Sequence, residues 1–169
     1  MILRKTLWLL GAGTLVLVFT ACSVPFMLDL LPLVPSEFVL GNYSQSSTTK
    51  DGVATVQGDP RVAQVQSATI DVIIQLSGHT GTGQATLQAF IDNDPNPFDS
   101  SCNSDLDTVD IPNQPSQEIM LWVDVPACAL TIIAMPGQHY VAARVIFIGA
   151  ISGDYEITLF KLFGLASAF

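Results

Sequence analysis

Apolar and polar residues alternate with a period of two through most of the chain from Gly52 onward. This period is typical of β-strands that bury one face. Residues 67–76 show it first, and residues 84–92 repeat it after a segment with three glycines. The glycines predict a turn, so we expect these two runs to pair as a hairpin. Residues 42–52, by contrast, are rich in Ser and Thr and are predicted to be a polar loop.

The C-terminal half continues the strand pattern. Residues 118–125 alternate, whereas residues 127–135 are apolar on both faces and predict a central strand. Residues 139–148 and 154–163 predict two further strands, joined through Ser152, Gly153 and Asp154. About eight strands and no convincing amphipathic helix are expected.

Short antiparallel strands in this number bury their apolar faces by stacking two sheets or by closing one sheet. We therefore predict an all-β fold, an antiparallel β-sandwich of jelly-roll or immunoglobulin-like type, with a small β-barrel as the alternative. The segments Gly-Gln-His-Tyr-Val at residues 137–141 and Ser-Gly-Asp-Tyr-Glu-Ile at residues 152–157 resemble the last hairpin of pre-peptidase C-terminal and related bacterial sandwich domains. The resemblance covers about residues 137–162 and implies the fold alone.

The N-terminus has the pattern of an export leader. Two basic residues, Arg4 and Lys5, precede an uncharged apolar stretch that ends at Cys22. Residues 18–22, Val-Phe-Thr-Ala-Cys, resemble the lipobox of bacterial lipoproteins, whose cysteine receives diacylglycerol and becomes the mature N-terminus. The resemblance implies a signal peptide over residues 1–21. Prolines at 25, 32 and 35 exclude a long helix after Cys22, so residues 22–36 are predicted to be a lipidated tether and residues 37–169 the β-sandwich domain.

One position departs from the lipobox pattern, because Phe19 stands where an aliphatic residue is usual. The alternative is an uncleaved helix, since residues 6–28 are uncharged and about 20 apolar residues suffice to cross a bilayer. Both interpretations anchor the domain at a membrane. We therefore predict an extracytoplasmic location in the cell envelope.

The charge distribution excludes one class of partner. From Cys22 onward the chain has four basic and fifteen acidic residues, a net charge of −11. Such a surface repels phosphate backbones, so no nucleic acid is expected to bind. Cationic partners and divalent cations are compatible with it.

The cysteines support an oxidising compartment. Apart from Cys22, the chain contains only Cys102 and Cys128. An even number in an exported chain predicts one disulfide. Two separate buried thiols are the alternative.

The segment 92–116 is rich in aspartate and proline. Asp92, Asp94 and Asn96 alternate like the opening of a calcium loop, and Asp99 is a further candidate ligand. Oxygen ligands of this kind suit Ca²⁺. However, Pro97 and Phe98 follow in place of a ligand and a turn glycine. Asp and Asn are also common in solvated turns, which is the favoured interpretation here. Calcium is therefore the only cofactor that the sequence raises, and it is raised as an alternative.

Apolar residues out of phase with the strands indicate interaction surfaces. Trp122 lies opposite the stripe that residues 119, 121 and 123 form, so it is expected to be exposed or covered by a partner. The C-terminal segment 159–169 is apolar on both faces, which makes Phe160, Phe163 and Phe169 candidate contact residues. A sugar-binding platform built from Tyr43, Trp122, Tyr140 and Tyr155 is less favoured than their burial in the core.

No catalytic motif is present. The sequence contains neither G-x-S-x-G nor H-E-x-x-H, and its two histidines, His79 and His139, have no metal-ligand spacing. We therefore predict a non-enzymatic, membrane-anchored lipoprotein that acts as a structural or protein-interaction module, with another envelope protein as its partner. A ligand-binding module for carbohydrate or calcium is the alternative.

Overall fold

The chain folds into two antiparallel sheets that stack face to face, which confirms the predicted β-sandwich. The computed structural model describes residues 23–44 and 46–167. Within these residues there are nine strands: β1 (Ser23–Asp29), β2 (Leu40–Tyr43), β3 (Ser46–Gln57), β4 (Val65–Thr80), β5 (Gly83–Asp92), β6 (Asp107–Ile111), β7 (Ser116–Asp124), β8 (Gln138–Gly149) and β9 (Ser152–Ser167). Two short helices, α1 (Ser36–Val39) and α2 (Ala127–Ala134), and 3-10 turns at Leu31–Leu33, Pro60–Gln64 and Pro97–Asp99 complete the elements.

Each sheet is open, with two edges. The first sheet has the order β1-β9-β4-β7, and β2 pairs with β9 on the side that β1 also occupies. The second sheet has the order β3-β8-β5-β6. The inner faces of the two sheets form one continuous apolar core. The alternative of a closed barrel is therefore wrong.

Strand β9 is the centre of the first sheet and contains a bulge. Ile157 pairs with Ile74, but Leu159 pairs with Ile73, so Thr158 has no register partner in β4. Before the bulge, Ile157 points into the core; after it, Phe160 does. A β-bulge inserts one residue and so reverses which face the following residues occupy. This reversal places Lys161 on the outer face instead of in the core.

The two predicted hairpins are wrong, although their strands are present. Strands β4 and β5 belong to different sheets, and so do β8 and β9. Each connection crosses from one sheet to the other at a glycine with positive φ, Gly81 at 91° and Gly149 at 126°. A Cβ on Gly81 would lie 2.0 Å from the Ala150 carbonyl oxygen, so the crossing loops pack closely. Stacking consecutive strands buries their apolar faces against each other.

The predicted central strand over residues 127–135 is also wrong, because this segment forms helix α2. Pro126 precedes the helix, and Ala129 and Ile133, four residues apart, are buried on one side of it. Alanine favours helix, and a short apolar run does not distinguish a buried strand from a buried helix. The helix lies across the end of the sandwich, against the turn Pro60–Gln64.

The segment predicted as a tether contributes a strand to the first sheet. All seven residues of β1 pair with β9, from Ser23 opposite Ser167 to Asp29 opposite Lys161. Residues 37–39 lie in helix α1, and the segment 42–52, predicted to be a loop, contains the end of β2 and the start of β3. The sandwich therefore already includes Ser23, the first described residue. The predicted signal peptide lies outside the described residues.

No helix within the described ranges is both long enough and apolar enough to cross a membrane.

Phe160 and Phe163 provide a test of the bulged register. Phe160 is fully buried and its ring meets that of Phe38 at 5.8 Å, whereas Phe163 is 39% exposed on the outer face. Phe160→Ala should lower the free energy of unfolding by about 3–5 kcal/mol, because it leaves a cavity in the core. Phe163→Ala, the matched control, should change it by no more than about 1 kcal/mol. Denaturant unfolding measures both, and equal losses would contradict the register.

Candidate functional site

The structure separates the predicted interaction residues. Trp122 is 53% exposed on the outer face of β7, and Phe163 is exposed on the same face of β9, with β4 between them. Phe160 is buried in the core, so its prediction as a contact residue is wrong. Its burial follows from the bulge in β9, which the alternating pattern does not reveal. Phe169 lies outside the described residues.

A groove of about 330 Å³ surrounds Trp122 at one side of the sandwich. It lies between the edge strands of the two sheets, because β6 ends the second sheet and β7 ends the first. We call it the Trp122 groove. Its lining residues are Asn103, Ser104, Asp105, Leu106, Asp107, Trp122, Val123, Asp124 and Pro126.

A hydrogen bond between the two edges fixes the floor of the groove. The backbone N–H of Trp122 donates to Oδ2 of Asp107 at 2.9 Å. This bond satisfies an edge N–H that would otherwise be open to pairing with another strand. Leu106, the residue before β6, is 60% exposed beside it. The groove thus combines a fixed backbone with two exposed apolar side chains.

The Trp122 groove is strongly acidic. Three carboxylates line it, those of Asp105, Asp107 and Asp124. Within the described residues, the side chains of Asp105 and Asp124 have no hydrogen-bond or ion-pair partner. An indole face flanked by carboxylates attracts cations, through the ring and through charge. The same groups can stack on a sugar ring and accept its hydroxyl hydrogens.

The other aromatic residues do not join Trp122 in a platform. Tyr43 and Tyr155 are buried, and the Phe147 ring lies between them, 4.5 Å from Tyr43 and 5.5 Å from Tyr155. Tyr140 belongs to the second sheet. The prediction that most of these aromatics fill the core is confirmed for the two buried tyrosines, and the expected exposure of Trp122 is confirmed as well.

The aspartate-rich loop is held by its own backbone. Oδ1 of Asp92 accepts hydrogen bonds from the N–H groups of Asn93 and Asp94, and Oδ1 of Asp94 accepts one from Asn96. Asn96 in turn donates to Asp99 at 3.2 Å. The nearby Ser100 hydroxyl, together with the N–H groups of Asp94 and Asn93, lowers the pKa of Asp92. These are the bonds of solvated Asx turns.

The predicted calcium ligands are thus close in sequence, and their oxygens are engaged in these turns. In the part of the chain that the structure describes, no group of three or more acidic, histidine or cysteine side chains is arranged to hold a metal ion. Calcium binding by Asp92, Asp94, Asn96 and Asp99 stays a prediction.

The disulfide between Cys102 and Cys128 is confirmed. It links the loop after β5 to helix α2, with the two Cα atoms 5.9 Å apart and 26 residues apart in sequence. In the chain-entropy model, a loop of this length contributes about 3 kcal/mol to stability. Because Asn103 to Asp107 follow Cys102 directly, the disulfide also positions the wall of the Trp122 groove.

Neither histidine is placed for catalysis with the other. His79 Nδ1 lies 2.7 Å from the Tyr43 hydroxyl at one end of the sandwich. His139 lies at the opposite end, with Nδ1 2.6 Å from Oδ1 of Asn93 and Nε2 2.8 Å from the Met135 carbonyl oxygen. Both rings are buried. These contacts are structural, since they connect loops to the sheets.

Sequence reasoning identified Trp122 but missed the rest of the groove. The position of Trp122 opposite the apolar stripe of its strand indicates exposure. That Leu106 lies beside Trp122 depends on which strands form the sheet edges, and the sequence does not show this. Charge density was the only available signal for Asp105 and Asp124.

Comparisons with known proteins show no family for this chain. No family model matches this chain, and no curated protein is similar to it. Among solved structures, one of TmCBM61 in complex with beta-1,4-galactotriose matches with 8% sequence identity and a TM-score of 0.30. The match covers 85% of this chain and 88% of that one. At this TM-score and identity it supports no inference about a ligand.

Burial of the tyrosine cluster predicts a loss of stability at alkaline pH. Desolvation raises the pKa of both Tyr43 and Tyr155 from 10.0 to about 12, with a further contribution from Asp154 at Tyr43. A raised folded-state pKa means that the stabilisation is complete below pH 10 and is lost as the pH rises towards about 12. The melting temperature should fall over this interval. Tyr43→Phe and Tyr155→Phe together should flatten the fall, and an unchanged profile would contradict the assignment.

Proposed function

We propose that this chain is a membrane-anchored lipoprotein of the cell envelope, whose β-sandwich is a non-enzymatic protein-interaction module. The anchor is Cys22, the lipobox cysteine. The observation that supports this role is the Trp122 groove, which exposes a tryptophan, a leucine and two unpaired carboxylates in one place. Exposed apolar side chains grouped with polar ones are typical of contact surfaces.

The partner that fits the groove is a protein segment rich in lysine or arginine. The domain carries a net charge of −11, so a cationic partner is attracted over a distance and oriented before contact. At contact, a guanidinium or ammonium group can lie on the Trp122 ring and pair with Asp105 or Asp124. Because the Trp122 N–H already bonds to Asp107, this part of the groove need not reorganise when a partner binds.

A carbohydrate ligand is the second candidate. It is favoured by the half-exposed indole beside the amide of Asn103 and the free carboxylates. Sugar rings stack on tryptophan, and their hydroxyls donate to carboxylates. The two candidates differ in salt dependence, because binding of a neutral sugar involves no charge on the ligand.

The anchor is tested by the mass of the protein isolated from membranes. We expect a mature chain that begins at a lipid-modified Cys22. Cys22→Ala is the control, because it removes the acceptor thiol, and this variant should keep its leader. An intact Met1 on the unsubstituted protein would contradict the lipoprotein proposal.

The groove is tested by fluorescence, since Trp122 is the only tryptophan after Cys22. We expect a short arginine-rich peptide to shift the Trp122 emission, and added salt to weaken the binding. Asp105→Asn with Asp124→Asn should reduce the affinity about 2- to 30-fold, the range for two exposed ion pairs.

The matched control for this test is Asp154→Asn with Glu156→Gln, which changes the net charge equally at a distant part of β9. It should alter the affinity much less. An emission shift produced by a neutral oligosaccharide, insensitive to salt, would favour the second candidate. No shift with either ligand would contradict both.

A further inference from the structure

Four apolar side chains lie together on the outer face of the first sheet, at the end where β1 begins. Pro25 and Met27 on β1 pair with Leu165 and Phe163 on β9. Met27 is 61% exposed and Leu165 is 40% exposed. We call these four residues the apolar end face. Pro25 and Phe163 are exposed as well.

Charged residues border the apolar end face on the side towards the middle of the strands. The next row of outward-facing residues, after Met27 and Phe163, contains Asp29 on β1, Lys161 on β9 and Asp71 on β4, in register. Opposite charges on neighbouring strands are typical of a solvated surface. The apolar character of the outer face is thus confined, on these strands, to the first two rows beside Ser23.

The membrane anchor leaves almost no chain between the lipid and this face. Cys22 is the residue before Ser23, and Ser23 already pairs with Ser167. At a strand rise of about 3.3 Å per residue, Pro25 lies about 7 Å and Met27 about 13 Å along β1 from Ser23. The polar layer on each side of a bilayer is about 5–8 Å thick. An uncleaved helix ending near Cys22 would impose the same restriction.

We propose that the apolar end face lies on the bilayer, with Pro25, Met27, Phe163 and Leu165 in contact with lipid. This inference rests on the membrane anchor proposed above. A domain held this closely cannot keep its first rows away from the interface. The row of Asp29, Lys161 and Asp71 sets the depth, because these charged groups remain in water.

The contact is apolar rather than electrostatic. The chain from Cys22 onward carries −11, so anionic lipids repel the domain. Arg61, at the same end of the sandwich, is already paired with Asp59. The contact should therefore be stronger on zwitterionic than on anionic lipid, and salt should strengthen it on anionic lipid by screening the repulsion.

The test uses the full lipidated protein in phosphatidylcholine vesicles that contain a nitroxide-labelled lipid. Met27→Cys carries an environment-sensitive fluorophore on its thiol, since Cys102 and Cys128 form a disulfide and Cys22 carries lipid. Leu165→Cys is a second position in the face. The matched control is Ile148→Cys, an exposed apolar residue on the second sheet.

We expect the lipid-borne quencher to reduce emission from positions 27 and 165 at least twofold more than from position 148. Equal, weak quenching at all three positions, in protein that floats with the vesicles, would overturn this inference and leave the anchor intact. Protein that does not float would overturn the anchor and this inference together.

A second copy of the chain is the other occupant that the experiment distinguishes. If the labels at positions 27 and 165 are shielded from lipid and the protein sediments as a dimer in detergent, the face is a dimer contact. That result also overturns the proposal. Unchanged thermal melting of each variant shows that the labelled proteins are folded.

Discussion

The pairing of β9 with strands on both of its sides is the constraint on which the rest of the structure depends. Strand β9 joins β1 and β2 along one side and β4 along the other. Backbone groups in the middle of a sheet must find partners there, because burial without them is costly. The bulge at Thr158 then directs Phe160 into the core and Lys161 to solvent.

The sequence predicts the strands well because every second residue of a half-buried strand is apolar. The period does not show which sheet a strand joins, so it does not distinguish the crossings at Gly81 and Gly149 from hairpins. The period also does not show a bulge, which is why the burial of Phe160 does not follow from the sequence. Helix α2 was not predictable, because a run of eight mostly apolar residues fits a buried strand equally well. The disulfide was predictable, since the compartment and the number of cysteines left one pairing.

The candidate site was predictable only in part. Trp122 is out of phase with the apolar stripe of its own strand, and it is exposed in the folded chain as this phase predicts. The groove around it forms where the edge strands β6 and β7 of the two sheets lie side by side. The hydrogen bond from the Trp122 N–H to Asp107 depends on this contact, which the sequence does not show. The two proposed surfaces then have separate tasks. In the proposal, the apolar end face orients the domain at the bilayer, and the Trp122 groove at the side of the sandwich binds a partner.

The central claim is that β1 is a strand of the sandwich and leaves no free tether after Cys22. Hydrogen exchange of its backbone amides tests this most directly, because an amide bonded within a sheet exchanges only when that sheet opens. In the native chain, we predict that the amides of residues 24–28 that face β9 exchange as slowly as those of β9 itself. Exchange at the rate of an unstructured peptide, with β4 and β9 still protected, would contradict the account.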